Sequence, residues 1–176
     1  MRARFAAYEA ALKTVGGGLT LSQSLRAIRR KRNLSVQDVA AAMGMVYRTY
    51  EEFEGGRGPQ TIDRIFAFAE AADCDPYALI LGPIFNLPNF ALDCADTKLC
   101  LIMMMHLRDF ADNEGPDIAY LEPPHIIGVF ERVFADLAAK LAESESFLQK
   151  WFDQHPGSIG LEKLRLRGVK RRPPKA

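Results

Sequence analysis

Two sets of residues in this chain have side chains able to do chemistry. Cys94, Cys100 and His106 are donors of the kind that hold a transition metal. On one continuous helix each six-residue step swings the side chain by roughly 240°. The three would then face apart, and no metal site is expected. Met103-Met104-Met105 beside them reads as core packing or as a pliable surface, and Leu101, Met104 and Met105 would line a pocket only in a small-molecule sensor. The chain has no nucleophile–base pair, no phosphate-cradling glycine loop and no carboxylates at a catalytic spacing, so neither an enzyme nor a cofactor is expected. The second set is basic. Between Thr20 and Leu34 every charged residue is a cation: Arg26, Arg29, Arg30, Lys31 and Arg32. From Leu161 on, Lys163, Arg165, Arg167, Lys170, Arg171, Arg172 and Lys175 face the single acid Glu162, whereas acids outnumber bases between Leu99 and Gly160. A net charge of +1 hides this sorting, which suits a polyanionic partner.

The segment Val36 to Phe53 meets the demands of two short helices crossing steeply through a tight turn. Apolar contacts come from Val39, Met43, Met45, Tyr50 and Phe53. Ala40 stands where the helices cross closest and only a small side chain fits. Gly44 stands at the turn, which needs a positive φ that glycine adopts freely. A plain helical hairpin would satisfy most of the same demands.

The stretch Leu34-Ser35-Val36-Gln37-Asp38-Val39-Ala40-Ala41-Ala42-Met43-Gly44-Met45 resembles the helix-turn-helix opening of Cro/cI-like (XRE family) regulators. Phe53-Glu54-Gly55-Gly56-Arg57 resembles the signature that closes their recognition helix. Leu25 to Asn33, Thr61 to Ala72 and Asp75-Pro76-Tyr77-Ala78-Leu79 are similar to their first, fourth and fifth helices. The resemblance covers about a third of the chain. It implies an all-α fold, a five-helix lambda-repressor-like DNA-binding domain followed by a helical C-terminal region. It also implies that the helix from Val46 to Phe53 enters the major groove of double-stranded DNA, with Val46, Tyr47, Arg48, Thr49 and then Glu52 near base edges. Arg48 would take guanine O6 and N7 together. Tyr47 would touch a thymine methyl or a phosphate, or else only cover the adjacent helix. Ser35, Gln37 and Arg57 are placed for phosphates. The chain departs from the family at Val36, where Gln is common, at the acidic pair Glu51-Glu52, and in a slightly short loop before Pro59. The run Arg29-Arg30-Lys31-Arg32 reads either as a phosphate grip or as charge complementing a helix end.

Those residues need elements to hold them. With 176 residues, 48% apolar and 26% charged, the chain has room for one domain or two small ones. Phe5 to Val15 reads as a short helix closed by the joint Gly16-Gly17-Gly18. Leu21, Leu25 and Ile28 share the face of a helix that ends at Asn33. Ser35 with Asp38 reads as a helix cap, and helices follow to Met43 and from Val46 to Glu54. Thr61 opens a helix with Ile62, Ile65, Phe66 and Ala69 inward, and Pro76 opens a further turn ending near Gly82. Beyond Gly82-Pro83 and Pro88, one helix is expected over Asn89–Ala111, a loop over Asp112–Pro124, and a long helix over Pro124–Phe152 before His155-Pro156-Gly157. The expected domains are residues 1–18, 19–82, 89–155 and a basic, disordered tail at 156–176.

Cys74, Cys94 and Cys100 are odd in number and form no C-x-x-C pair, which fits a reducing compartment. No apolar run follows Arg2 and Arg4, and Leu99 to Leu107 is too short to span a bilayer. A cytoplasmic, nucleoid-associated protein without membrane contact is expected. Phe147, Trp151 and Phe152 add to a surplus of large apolar side chains in the second half. That surplus motivates a homodimer, and the acidic second half suits recruitment of RNA polymerase. The competing expectation keeps the helix-turn-helix as a scaffold that docks a protein, such as polymerase or a toxin.

Overall fold

The computed structural model describes residues 17–154. The helix expected over Phe5–Val15 and the basic stretch at 156–176 lie outside the described residues. Within them the chain is all-helical, with no strand. The helices are α1 (Gly17–Lys31), α2 (Val36–Ala42), α3 (Tyr47–Glu54), α4 (Ile62–Ala71), α5 (Pro76–Phe85), α6 (Phe90–Cys94), α7 (Leu99–Glu114) and α8 (Pro123–Gln154), with a 3-10 turn at Gly115–Tyr120 before α8. The chain divides into two compact units, one up to Gly115 and one from Pro116. No helix among the described residues is long and apolar enough to cross a membrane.

The core of the first unit follows the helical period. Leu21, Leu25 and Ile28 of α1 are fully buried, together with Tyr50, Phe53, Ile65, Phe68 and Leu79. Helix α5 touches α1, α4, α6 and α7, which explains why its sequence is apolar on nearly every side. Helix α1 stops where Asn33 takes a left-handed φ of 56°. The cap expected at Ser35 is present in full: the Asp38 N–H donates to Ser35 Oγ at 3.0 Å and the Ser35 N–H to Asp38 Oδ2 at 2.9 Å. The Ser35 hydroxyl, then its backbone N–H, hold the Asp38 carboxyl below its ordinary range. This cap therefore contributes fully above the usual carboxylate pKa and weakens as pH falls through the lower value in the fold. Ser35→Ala is expected to cost about 1 kcal/mol, read as a lower urea midpoint at neutral pH, with a smaller difference in acid.

Several boundaries differ from those the sequence suggests. Helix α1 begins at Gly17, inside the expected glycine joint. There the chain packs closely on the loop after α3: a Cβ on Gly56 (φ +73°) would stand 3.5 Å from the Gly18 carbonyl oxygen. Helix α5 runs through Gly82-Pro83 to Phe85. A proline inside a helix forfeits one hydrogen bond, but Pro83 is buried and lies close to the helix end. Asn86, at φ 54°, then closes α5, and the Leu87 N–H donates to the Gly82 carbonyl at 2.9 Å. Phe66, expected inward, is 38% exposed and packs edge-on against Tyr77, while Phe68 takes the core position. Helix α4 is apolar around most of its circumference, so spacing alone could not choose between the two rings.

The largest correction concerns Asn89–Ala111. Two helices, α6 and α7, replace the single one, with Lys98 between them at φ 53°. The cause is Asp75, which is completely buried. Its Oδ1 accepts the N–H groups of Tyr77 and Ala78 at 3.0 and 3.1 Å, capping α5. Its Oδ2 accepts those of Cys100 and Leu101 at 2.7 and 3.1 Å, capping α7. A continuous helix would turn those two N–H groups inward and leave half the carboxylate without donors. Asp96 ties the same turn to α1 by accepting from Lys31 and from Arg32 at 2.8 Å. These cations hold the Asp96 carboxyl below its usual range, so the clamp is complete above that range and is lost as pH falls through the lowered pKa. Helix α6 thus packs with α1 and α5, and helix α7 with α5, and the expected border between residues 82 and 89 runs through one packed unit. Helix α7 also continues to Glu114, and α8 starts at Pro123, so the loop expected over Asp112–Pro124 shrinks to the 3-10 turn and its flanks.

Candidate nucleic-acid interface

Helices α2 and α3 touch through Val39 and Ala40, both buried, and through the sealed face of α3. The turn between them is closed by two hydrogen bonds, Gly44 N–H to the Ala41 carbonyl at 3.0 Å and Met45 N–H to the Ala40 carbonyl at 2.8 Å. Gly44 has φ +63°, and a Cβ added there would meet nothing within 4 Å. The glycine is therefore required by backbone conformation and not by crowding.

Helix α3 has two unlike faces. Tyr50 and Phe53 are fully buried and Glu54 nearly so. On the other side Val46 is 73% exposed, Tyr47 is exposed, and the Arg48 side chain is 87% exposed. Val46 is the N-cap and supplies no side-chain hydrogen bond. Thr49 is half-buried and lines an open hollow with Met45, Asp63 and Arg64. The acids expected to disturb this surface engage their neighbours. Tyr47 donates its hydroxyl to Glu51 Oε1 at 3.0 Å, and Arg48 Nε lies 3.6 Å from Glu52 Oε1 one turn away. The bond to Glu51 raises the Tyr47 pKa. An exposed pair of the Arg48–Glu52 kind is worth at most about 1 kcal/mol, so the guanidinium can change partner at little cost.

Around α3, Ser35 and Gln37 are exposed at the start of α2. Arg57 is exposed just past α3, where its N–H and that of Gly58 both donate to the Glu52 carbonyl at 2.8 Å. Of the eight sequence-derived positions, Val46, Tyr47, Arg48, Thr49 and Glu52 cluster on the open side of α3 and its cap. Ser35 and Gln37 sit at the next helix start, and Arg57 at the far end of α3.

Sequence reasoning missed the anchor that holds α3. Glu54 lies on the sealed side and takes Arg29 in a two-pronged pair, Nε to Oε1 at 2.6 Å and Nη2 to Oε2 at 3.1 Å. Tyr50 donates its hydroxyl to Oε1 at 2.9 Å, and Ser22 Oγ donates to the Glu54 backbone carbonyl. Glu54 in turn raises the Arg29 pKa, and burial followed by Glu54 raises that of Tyr50. The buried carboxylate joins α1 to α3. The signal was in the sequence: an acid directly after a core aromatic, with an arginine on an amphipathic helix upstream.

This anchor also resolves the role of the basic run. Arg29 is committed to Glu54 and to the Leu34 carbonyl, Lys31 to Asp96, and Arg32 to Asp96 and the carbonyls of Ala72 and Asp73. Arg26 is exposed but its Nε lies 4.0 Å from Glu54 Oε2, and Arg30 stands on the exposed side of α1. Among the described residues no group of three His, Cys, Asp or Glu is placed to hold a metal ion. Cys74, Cys94 and Cys100 are buried and form no disulfide, and burial pushes Cys74 and Cys100 up to about 12. No protein-family model, no curated protein and no solved structure matches the chain.

Proposed function

We propose that the protein binds double-stranded DNA sequence-specifically and regulates transcription. In this reading α1 to α5 form a five-helix domain of the lambda-repressor-like, Cro/cI-like kind, and α3 is the recognition helix. One observation carries it: a short helix sealed by Tyr50 and Phe53 leaves Val46, Tyr47 and Arg48 bare on the side opposite the core. A helix held this way is a rigid body of the width that a major groove admits. Arg48 reads guanine, Tyr47 packs on a thymine methyl or bonds a phosphate, and Val46, Thr49 and Glu52 fill the base-edge surface. Ser35, Gln37 and Arg57 position the domain on phosphates. Two copies on an inverted repeat would set their recognition helices about 34 Å apart. A protein with this role works at the nucleoid, in the cytoplasm, and its acidic second half suits contact with RNA polymerase.

A second reading, a protein-docking module on the same scaffold, is favoured by the acids Glu51 and Glu52 beside exposed Val46 and Tyr47, and by the internal use of Arg29, Lys31 and Arg32. Selection of bound fragments from a random duplex pool, followed by titration at increasing salt, tests both. DNA binding predicts one enriched motif and an affinity that falls steeply with salt. A flat salt response with no enriched motif favours docking. Arg48→Ala is expected to lose about 1–3 kcal/mol of discrimination at one base pair, whereas Arg57→Ala should weaken all duplexes alike and lower the salt slope by about one. Unchanged selectivity in the Arg48 variant would remove that residue from the base contacts.

A further inference from the structure

Helix α8 is 32 residues long, about 48 Å at the helical rise. Along it Ile127, Phe134, Leu141 and Leu148 recur every seven residues, and Phe130, Leu137, Ser144 and Trp151 follow each of them by three. Seven of these eight positions are apolar, an a/d heptad sustained far enough to specify a coiled coil. The seam is open to solvent in the single chain. Ile127, Phe130, Phe134, Leu137 and Leu141 are 58, 45, 47, 42 and 66% exposed, and the Phe130 and Phe134 rings stack along it with centroids 6.4 Å apart. Outside the seam Arg132, Ala135, Asp136, Ala139, Ala142 and Glu143 are charged or small, while Ile126, Val129, Val133 and Phe147 are exposed apolar side chains that widen the stripe. An apolar stripe of this extent on a long helix marks an interaction surface.

The residues flanking the seam choose the occupant. In a parallel pair each g position faces the e position five residues later on the other helix. Position g at 140 is Lys and position e at 145 is Glu. In the single chain Lys140 donates to Glu143 at 2.8 Å on the open surface, a pairing that can be exchanged at little cost, so a second copy of α8 supplies the opposite charge, twice by symmetry. Val133 and Ala138 form the preceding g–e pair and only widen the apolar stripe. Antiparallel pairing would instead set e against e, placing Glu131 opposite Glu145. We propose that α8 pairs with α8 of a second copy as a parallel two-stranded coiled coil, with Ile127, Phe134, Leu141 and Leu148 at a. The pairing gives the proposed dimer its interface and rests on that dimer, not on DNA binding.

The test is sedimentation equilibrium of the full chain at micromolar concentration, without DNA. Twice the 19.6 kDa chain mass is expected, and Leu137→Glu should give the single-chain mass. Lys140→Glu should raise the dissociation constant about tenfold, and Lys140→Glu combined with Glu145→Lys should restore it, which a general folding defect would not. Ser144→Cys stands at a d position and should form a cross-chain disulfide under oxidised glutathione, the two thiols passing two electrons and two protons to one glutathione disulfide, which leaves as two glutathione thiols. A wild-type monomer, a larger assembly, or a dimer indifferent to Leu137→Glu overturns the pairing. A dimer that neither cross-links at 144 nor responds to the charge swap overturns its parallel sense. A wild-type monomer that still selects a DNA half-site would leave the DNA reading standing. A dimer that ignores DNA would leave the coiled coil standing and remove the other.

Discussion

Asp75→Asn is expected to destabilise the first unit by about 2–6 kcal/mol, since one buried and one part-buried N–H group lose their acceptor at about 1–3 kcal/mol each. The carboxylate receives four backbone N–H groups, two from the start of α5 and two from the start of α7, in a site closed to water. Asparagine keeps one oxygen, so one helix start retains its acceptor. The other then faces an amide NH2, a donor set against two donors. Domains of this size hold only about 5–15 kcal/mol in total, so the loss is a large share. It is read from the urea midpoint at constant m value. Hydrogen exchange locates it: the amides of Cys100 and Leu101, or of Tyr77 and Ala78, should exchange faster than those of α2. A midpoint equal to wild type would mean that Asp75 does not join α5 to α7.

Glu54→Gln should cost about 3 kcal/mol or more, the range for removing one partner of a buried ion pair. Only 8% of the Glu54 side chain and 13% of that of Arg29 meets solvent, so the guanidinium would stay inside without a counter-charge. Arg29→Met should cost a similar amount for the converse reason. In a Tyr50→Phe background, which removes the buried hydroxyl that donates to Glu54, the double variant Arg29→Met, Glu54→Leu should recover most of the loss, because well-packed apolar groups leave neither a charge nor a buried donor uncompensated. This pattern, two costly single variants and a cheap double, separates a structural pair from a DNA contact. Additive losses in the cycle would show the two side chains acting independently. The consequence for the interface is positional. Glu54 and Tyr50 fix α3 against α1, and loosening that joint blurs the presentation of Val46, Tyr47 and Arg48.

The site was legible in the sequence to the extent that its causes are local. Ser35 and Asp38 are three residues apart and cap α2 through their own backbone, so the pair could be read directly. Gly44 announced a left-handed turn, because few other residues tolerate that φ. Val39, Tyr50 and Phe53 declared their inward faces by helical spacing. Phe66 and Phe68 show where spacing fails, since both positions of α4 are aromatic and only the placement of α5 decides between them.

Sequence by itself determined that the described residues are helical, where α2, its glycine turn and α3 stand, and which face of α3 goes inward. These depend on hydrogen bonds and periodicities spanning a few residues. Tertiary structure alone decided that Asp75 splits one expected helix in two, that Glu54 is an internal anchor, and that Arg29, Lys31 and Arg32 serve the fold more than a partner. Each of those outcomes joins residues 25 or more apart. A buried charge finds its partner through the packing of whole helices, and no local pattern names that partner in advance.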